Sequence, residues 1–510
     1  MNLTPLLFAA LLSCAPASSP APADPSPAPV HQPPEQPNVI IVLLDGLRYD
    51  RTHFGGNELL TSPTLDLLAS EGVIFDLAFS TSNESLLSHS ALFTGLYPTE
   101  IAYPDYQKYL LPDDALTLAE AMSAVGYDTA AFVAGGHVKA HFGFGQGFDI
   151  FQEGEDFGSF ATTARLASQW LATRASDKPF FAFVHGYDLH RPYPKASIFF
   201  HPFWPKGKTE LDRHLRKRNF TEFVFEGVYY QGFQGARILH AVGDSMLDPG
   251  NYAVLAEYAA SQAESGEGKA IELSHTDKEH IRAHYDASVL CADTYVGLLI
   301  DDIMARGLWD DTLIIAMADH GEDLGDHGYY NHRINITDST THVPMIISGG
   351  AVPPQLRGTR RSDLTDAVDV VHTVMDMAGS VPPAGARGRS LWALLEGRDV
   401  PPKDVVFQQG VLGHTSVRTA THRLVFQGYP LIEPDYLRHM TEDSIDGGTF
   451  VLFHSAEDPM ETRDVLAENL ELAERLRGTM VGFTADLAVG TEKMQLSPEL
   501  QEMLRERGYW

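Results

Sequence analysis

Two apolar runs, far apart in the chain, end in the same way. Val39 to Leu44 contains no polar residue and stops at Asp45-Gly46, while Leu313 to Ala318 stops at Asp319-His320-Gly321. Short β-branched and aliphatic runs bounded by such breaks read as strands buried on both faces, the kind found in parallel sheets covered by helices. Open α/β sheets bind ligands beyond the carboxyl ends of their strands. Here those ends carry two carboxylates and an imidazole, side chains that suit a divalent cation. One such ending arises easily by chance; two with matching context arise much less often.

The segments between and around these runs agree with that frame. Ser62-Pro63 opens a helix that runs through Ser70 and closes at Gly72. Ser85 to Thr94 reads as a helix closed by Gly95, and Asp113 and Asp114 start one that ends at Gly126. Thr129 to Ala134, Phe180 to Val184 and Met345 to Ile347 read as further strands. From Asp277 to Arg306, residues Ile281, Tyr285, Val289, Ala292, Val296, Leu299 and Ile303 recur at spacings of three and four, a core-packing stripe rather than a cofactor site. Cys291 sits in this helix as a small packed apolar residue. Beyond about Asp399 the pattern changes. Val405 to Gln408, Arg423 to Gln427 and Phe450 to Phe453 read as short antiparallel strands, with an amphipathic helix from Val465 to Met480 packed on them. A chain of 510 residues exceeds one simple core. The expected architecture is therefore α/β, with a central mostly parallel sheet over 38–398 and a small C-terminal α+β subdomain over 399–510. Residues 196–268 form an insertion without a regular pattern.

The extreme N-terminus stands apart. Leu6 to Leu12 is an apolar stretch too short to span a bilayer, and it ends in Leu11-Leu12-Ser13-Cys14. Residues 1–14 thus read as a lipoprotein-type signal with Cys14 as the lipidated residue, although Met1 to Pro5 lacks Lys and Arg. Residues 15–37, mostly Pro, Ala and Ser, read as a tether. The expectation is an exported, outer-membrane lipoprotein facing the periplasm or the cell exterior, in contact with membrane only through its lipid. With 68 acidic against 37 basic residues and a formal net charge of −31, the chain repels nucleic acid. An anionic substrate must find a locally positive site, as a cation and a helix N-terminus provide.

Ser85 is the candidate nucleophile. Ser80 to Glu84 is polar and turn-like, and a hydroxyl at the helix start sits among unpaired N–H groups that favour an oxyanion. On this segment alone Ser85 reads first as an ordinary helix cap, since Ser is among the commonest cap residues. His89 lies four residues on, on the same face.

Taken together, the pieces resemble the sulfatase family of the alkaline phosphatase superfamily. The resemblance rests on Val39 to Asp50, Ser62 to Phe75, Ser85 to Pro98, Gly147-Phe148-Asp149, His185 to Tyr193, Asp319 to Gly328, His342-Val343-Pro344 and Phe450 to Glu461. It implies an alkaline-phosphatase-like sandwich fold and hydrolysis of sulfate or phosphate and phosphonate esters. It also implies that Asp45, Asp319 and His320 hold one divalent cation faced by Ser85. His137 matches a family histidine near the nucleophile. His190 matches one that protonates the leaving group or holds a substrate oxygen. His332 and His342, with His89, fall where substrate-binding groups are expected.

The departures bear on the chemistry. The formylglycine signature C/S-x-P-S-R is here Ser85-Leu86-Leu87-Ser88-His89, without its Pro and Arg, so an unmodified serine is expected. The family's second N-terminal aspartate is Gly46, and its lysine two before His137 is Gly135. His320 in the ligand set favours Mn or Zn, with Ca less suited. The substrate is expected to be a small-molecule, glycan or lipid ester. A transferase moving a phospho-headgroup, or an inactive binding homologue, are the alternative readings.

Overall fold

The structure is a computed structural model. It describes residues 36–486 except 102–110, 113–114, 155–156, 191–192, 194–196, 201, 205–222, 226–227, 232–268, 328–329, 331, 333–335, 411–413 and 428–448. The signal, the tether and most of the insertion therefore lie outside the described residues.

The main sheet has eight strands. These are β1 (Asn38–Leu44), β2 (Val73–Phe79), β3 (Asp128–Val133), β4 (Ile150–Glu153), β5 (Phe180–Gly186), β9 (Thr312–Met317), β10 (Met345–Ser348) and β11 (Thr359–Asp366), in the order β11-β2-β10-β9-β1-β5-β3-β4, while β6 (Phe223–Phe225), β7 (Val228–Gln231) and β8 (Lys269–Glu272) form a small sheet of their own. In the main sheet only β10 runs against its neighbours. Strand β1 lies at the centre, parallel to both β5 and β9. Its side chains alternate between two cores. Val39, Ile41 and Leu43 join the cluster under helices α2 (Ser85–Thr94) and α3 (Leu118–Ala124), whereas Ile40, Val42 and Leu44 join the one under α1 (Pro63–Ser70), α4 (Phe160–Thr173) and the long helix His275–Ala305. Burial on both faces is why β1 and β9 read as unbroken apolar runs. A three-layer sandwich follows, and the sandwich expected from sequence is what is found.

The apolar stripe of the long helix is buried as expected, and Cys291 with it. The helix expected from Asp113 begins later, at Leu118. Thr117 caps it in a reciprocal box with Glu120, a stronger start signal than a pair of aspartates. Strand β11 escaped the sequence reading because it is an edge strand, TRRSDLTD, with only its last residues buried.

A further, antiparallel sheet follows: β12 (Val406–Gln409), β13 (Thr415–Arg418), β14 (Arg423–Gln427) and β15 (Thr449–Phe453). The polar β13 carries no apolar alternation and was not foreseen. The helix Leu470–Asp486 packs on this sheet through Ala473, Leu476 and Met480, starting five residues after the expected Val465, which instead precedes a short 3-10 turn. Among the described residues no helix is long and apolar enough to cross a membrane.

Candidate active site

Asp45 follows directly on β1, and Asp319 follows β9 after Ala318. Because these strands are parallel neighbours, both carboxylates arrive at one end of the sheet. The turn after β1 needs Gly46, whose φ is +76°, and its N–H donates to Asp319 Oδ1 at 3.1 Å. The Tyr285 hydroxyl donates to the Gly46 carbonyl at 2.6 Å, so the long helix braces this turn as well as the core.

Helix α2 brings in the hydroxyl. Its N-cap is Glu84, not Ser85: the Glu84 carboxylate accepts the N–H groups of Leu86 and Leu87, and Ser85 occupies the first helical position. Freed from capping, Ser85 Oγ donates to Asp45 Oδ2 at 2.9 Å and lies 3.1 Å from His320 Nε2. His320 Nδ1 is engaged by the Gly321 carbonyl at 2.7 Å. That contact places the ring proton on Nδ1 and turns the Nε2 lone pair toward the cluster.

The ligand atoms of Asp45, Asp319 and His320 lie within 4.8 Å of one another, all buried. Asp45 Oδ1 and Asp319 Oδ2 have no hydrogen-bond partner. Burial, and then the Asp319 charge, push Asp45 well above the usual carboxylate range. Burial would raise Asp319 too, but His320 and His89 outweigh it and hold it down at about 2. Two buried carboxylates this close cannot both stay ionised without a neighbouring positive charge. Orphaned oxygens, a mixed carboxylate–imidazole donor set and a preset histidine tautomer fit a divalent cation.

The other histidines fall into three groups. His137 Nδ1 meets Glu84 Oε1 at 2.8 Å, so the residue that caps α2 also holds the histidine beside it. His332 Nδ1 meets Glu322 Oε2 at 2.8 Å, and its ring stacks on His320 at 4.2 Å. The Tyr193 hydroxyl donates to the other oxygen of Glu322 at 2.9 Å. The His190 ring lies 5.7 Å from that of His332. His137 thus stands beside the start of α2, and His332 and His190 stand on the His320 side. His89 lies within it: fully buried, its Nδ1 donates to the Ser85 carbonyl at 2.7 Å and lies 3.5 Å from Asp319 Oδ2. Burial lowers its pKa.

His342 is a correction. Its ring is stacked on Tyr49 at 4.3 Å and on Phe79 at 5.0 Å, and its Nε2 meets the Asp76 carbonyl at 2.8 Å. The bridge pairing His342 with Phe79 turns it into this packing niche, away from the other histidines.

Three residues of the site were missed from sequence. Glu84 was passed over because Glu is a poor N-cap by preference. Glu322, two residues after His320, was inside the singled-out segment but had no partner until the loop folded. His185 opens the matched segment His185 to Tyr193 but was given no role of its own.

Comparison with known proteins follows the same lines. The "Sulfatase" family model matches residues 37–380. The bovine "Arylsulfatase K" is 25% identical over 384 residues, covering 70% of this chain and 65% of its own length, so the chain spans just under two thirds of that relative. The "N-acetylglucosamine-6-O-sulfatase" of Bacteroides thetaiotaomicron is 23% identical over 450 residues, covering 79% of this chain and 76% of the relative. Among solved structures, the phosphonate monoester hydrolase of Agrobacterium radiobacter superposes with a TM-score of 0.64 at 21% identity, covering 89% of this chain and 97% of that one.

Proposed function

This chain belongs to the sulfatase family, and we infer that it is a metal-dependent hydrolase of sulfate or phosphate and phosphonate esters, with Ser85 as its nucleophile. The observation that carries this reading is the placement of Ser85 Oγ, 2.9 Å from Asp45 and 3.1 Å from His320, inside a buried three-ligand cluster with orphaned carboxylate oxygens.

A divalent cation held by Asp45, Asp319 and His320 supplies charge neutralisation for the anionic ester and acidifies the facing hydroxyl. Ser85 loses its proton to solvent, and its oxygen attacks phosphorus or sulfur. The bond from that oxygen forms as the ester bond to the leaving group breaks. The leaving oxygen takes a proton from His190 or His332, and water then cleaves the serine ester to regenerate the hydroxyl. His137, anchored by Glu84, and His332, anchored by Glu322, supply positionable donors where the family arginine and lysine are absent.

The unmodified serine favours phosphorus esters. The deciding experiment compares matched aryl sulfate, phosphate monoester, phosphodiester and phosphonate esters with Mn, Zn or Ca, alongside Ser85→Ala, with an intact-mass measurement of Ser85. Faster turnover of phosphorus esters, lost on Ser85→Ala in a protein of unmodified mass, supports the reading. Dominant sulfate cleavage, or a mass showing conversion of Ser85, sinks it.

Export as a lipoprotein through Cys14 is part of the same reading. Its support is the sequence Leu11-Leu12-Ser13-Cys14 ahead of the Pro/Ala/Ser-rich tether. Labelled-palmitate incorporation abolished by Cys14→Ala would support it, and equal labelling of both proteins would refute it.

A further inference from the structure

His185 sits on β5, paired in register with Leu43 of β1, and shares the face of Phe181 and Phe183. The Phe183 ring is stacked on it at 6.1 Å, Tyr187 meets it edge-on at 4.6 Å, and His89 does so at 5.1 Å. A phenylalanine would suit this niche by shape. Yet the position holds an imidazole that is fully buried, with neither ring nitrogen hydrogen-bonded. Buried polar side chains are nearly always paired, and an orphan calls for a physical reason. The geometry supplies one: His185 Nε2 lies 3.8 Å from Asp45 Oδ2, about 1 Å longer than a hydrogen bond.

Asp45 Oδ2 is the oxygen that accepts the Ser85 hydroxyl. We propose that His185 donates its Nε2–H to Asp45 Oδ2 when the cation is bound and is a positioning residue, holding the carboxylate in the orientation in which it binds the cation. This rests on the reading that Asp45, Asp319 and His320 hold a divalent cation. Hydrogen bonds from outside the ligand set fix ligand orientation, and their loss weakens metal binding by about 10–100-fold.

The test is calorimetric titration of metal-stripped protein with Mn²⁺, together with thermal unfolding of the metal-free forms. The wild type should bind one equivalent. His185→Phe keeps the ring stack without the donor and should weaken binding by about 10–100-fold while leaving unfolding of the metal-free protein close to wild type. His185→Gln, whose amide can reach Asp45, should recover most of that loss. The shorter amide of His185→Asn should not, and this pair decides the matter should the Phe variant fail to fold. Unchanged affinity in His185→Phe, or equal weakening in the Gln and Asn variants, would overturn the proposal in favour of packing alone. A wild type that takes up no metal would instead remove the cation reading itself.

Discussion

Ser85 is held between an oxygen of Asp45 and a nitrogen of His320, with no part in capping its helix. Ser85→Ala should therefore leave the fold and the carboxylate cluster in place while lowering turnover by about 10⁴-fold or more, the loss typical of removing a nucleophile. Unchanged turnover of any ester the wild type cleaves would show that another group attacks. The carboxylates make a second prediction. Asp45 is raised, first by burial and then by Asp319, so in the metal-free protein its contribution to stability is present at low pH and lost as pH rises through its folded pKa. Asp319 is depressed, so its contribution holds at neutral pH and is lost only as pH falls toward about 2. Metal-free protein should thus melt lower as pH rises past the Asp45 titration, and added Mn²⁺ should reverse this. Metal uptake should release protons below that titration, detectable by calorimetry in buffers of different ionisation enthalpy. Uptake without proton release would mean both carboxylates were already ionised.

Helix α2 depends on a single side chain at its start. Glu84 is fully buried, its Oε2 accepting two backbone N–H groups and its Oε1 holding His137. Glu84→Ala removes a cap worth about 1 kcal/mol and also releases His137. It should lower stability by about 1–2 kcal/mol in urea unfolding and lower turnover in the same variant. Glu84→Gln retains an accepting oxygen for the cap and should fall between. A stability loss with wild-type turnover would separate His137 from catalysis. The existence of α2 was legible from Ser85 to Gly95, whose φ of +68° gives the left-handed stop. The cap was not, because a glutamate beside a serine gives no local reason to choose the glutamate.

The antiparallel sheet is tied to the catalytic layer through Arg423, which is fully buried on β14. It bonds Glu461 at 2.9 Å, Thr341 at 3.0 Å and the carboxylate of Asp338. The turn at Asp338–Thr341 in turn holds the segment after His320, since the Gly321 N–H donates to the Thr340 carbonyl at 2.7 Å. A β-carbon on Gly321 would lie 2.2 Å from the Ser339 carbonyl oxygen, so the two segments meet where only glycine fits. Arg423→Ala leaves Glu461 buried without its ion-pair partner, while Asp338 keeps Arg418. It should cost about 3–5 kcal/mol and lower metal affinity with it, measured by thermal unfolding and titration. A melting temperature within a degree or two of wild type would show that the two sheets are not coupled through this residue.

The buried parallel strands, the amphipathic long helix and the residue types at the strand ends were legible in the sequence because each follows from local apolar periodicity and from where it breaks. Asp45, Ser85, Asp319 and His320 could be named on that ground and by family resemblance, since strand register brings neighbouring parallel strands to the same edge. Pairings across long sequence separation could not. That Glu84 holds His137, that Glu322 backs His332, and that His342 packs against Tyr49 depend on contacts between segments that carry no mutual signal. Tertiary structure decided these, because the energy of a buried polar group is set by the partner it meets, and only the folded chain brings that partner within hydrogen-bonding distance.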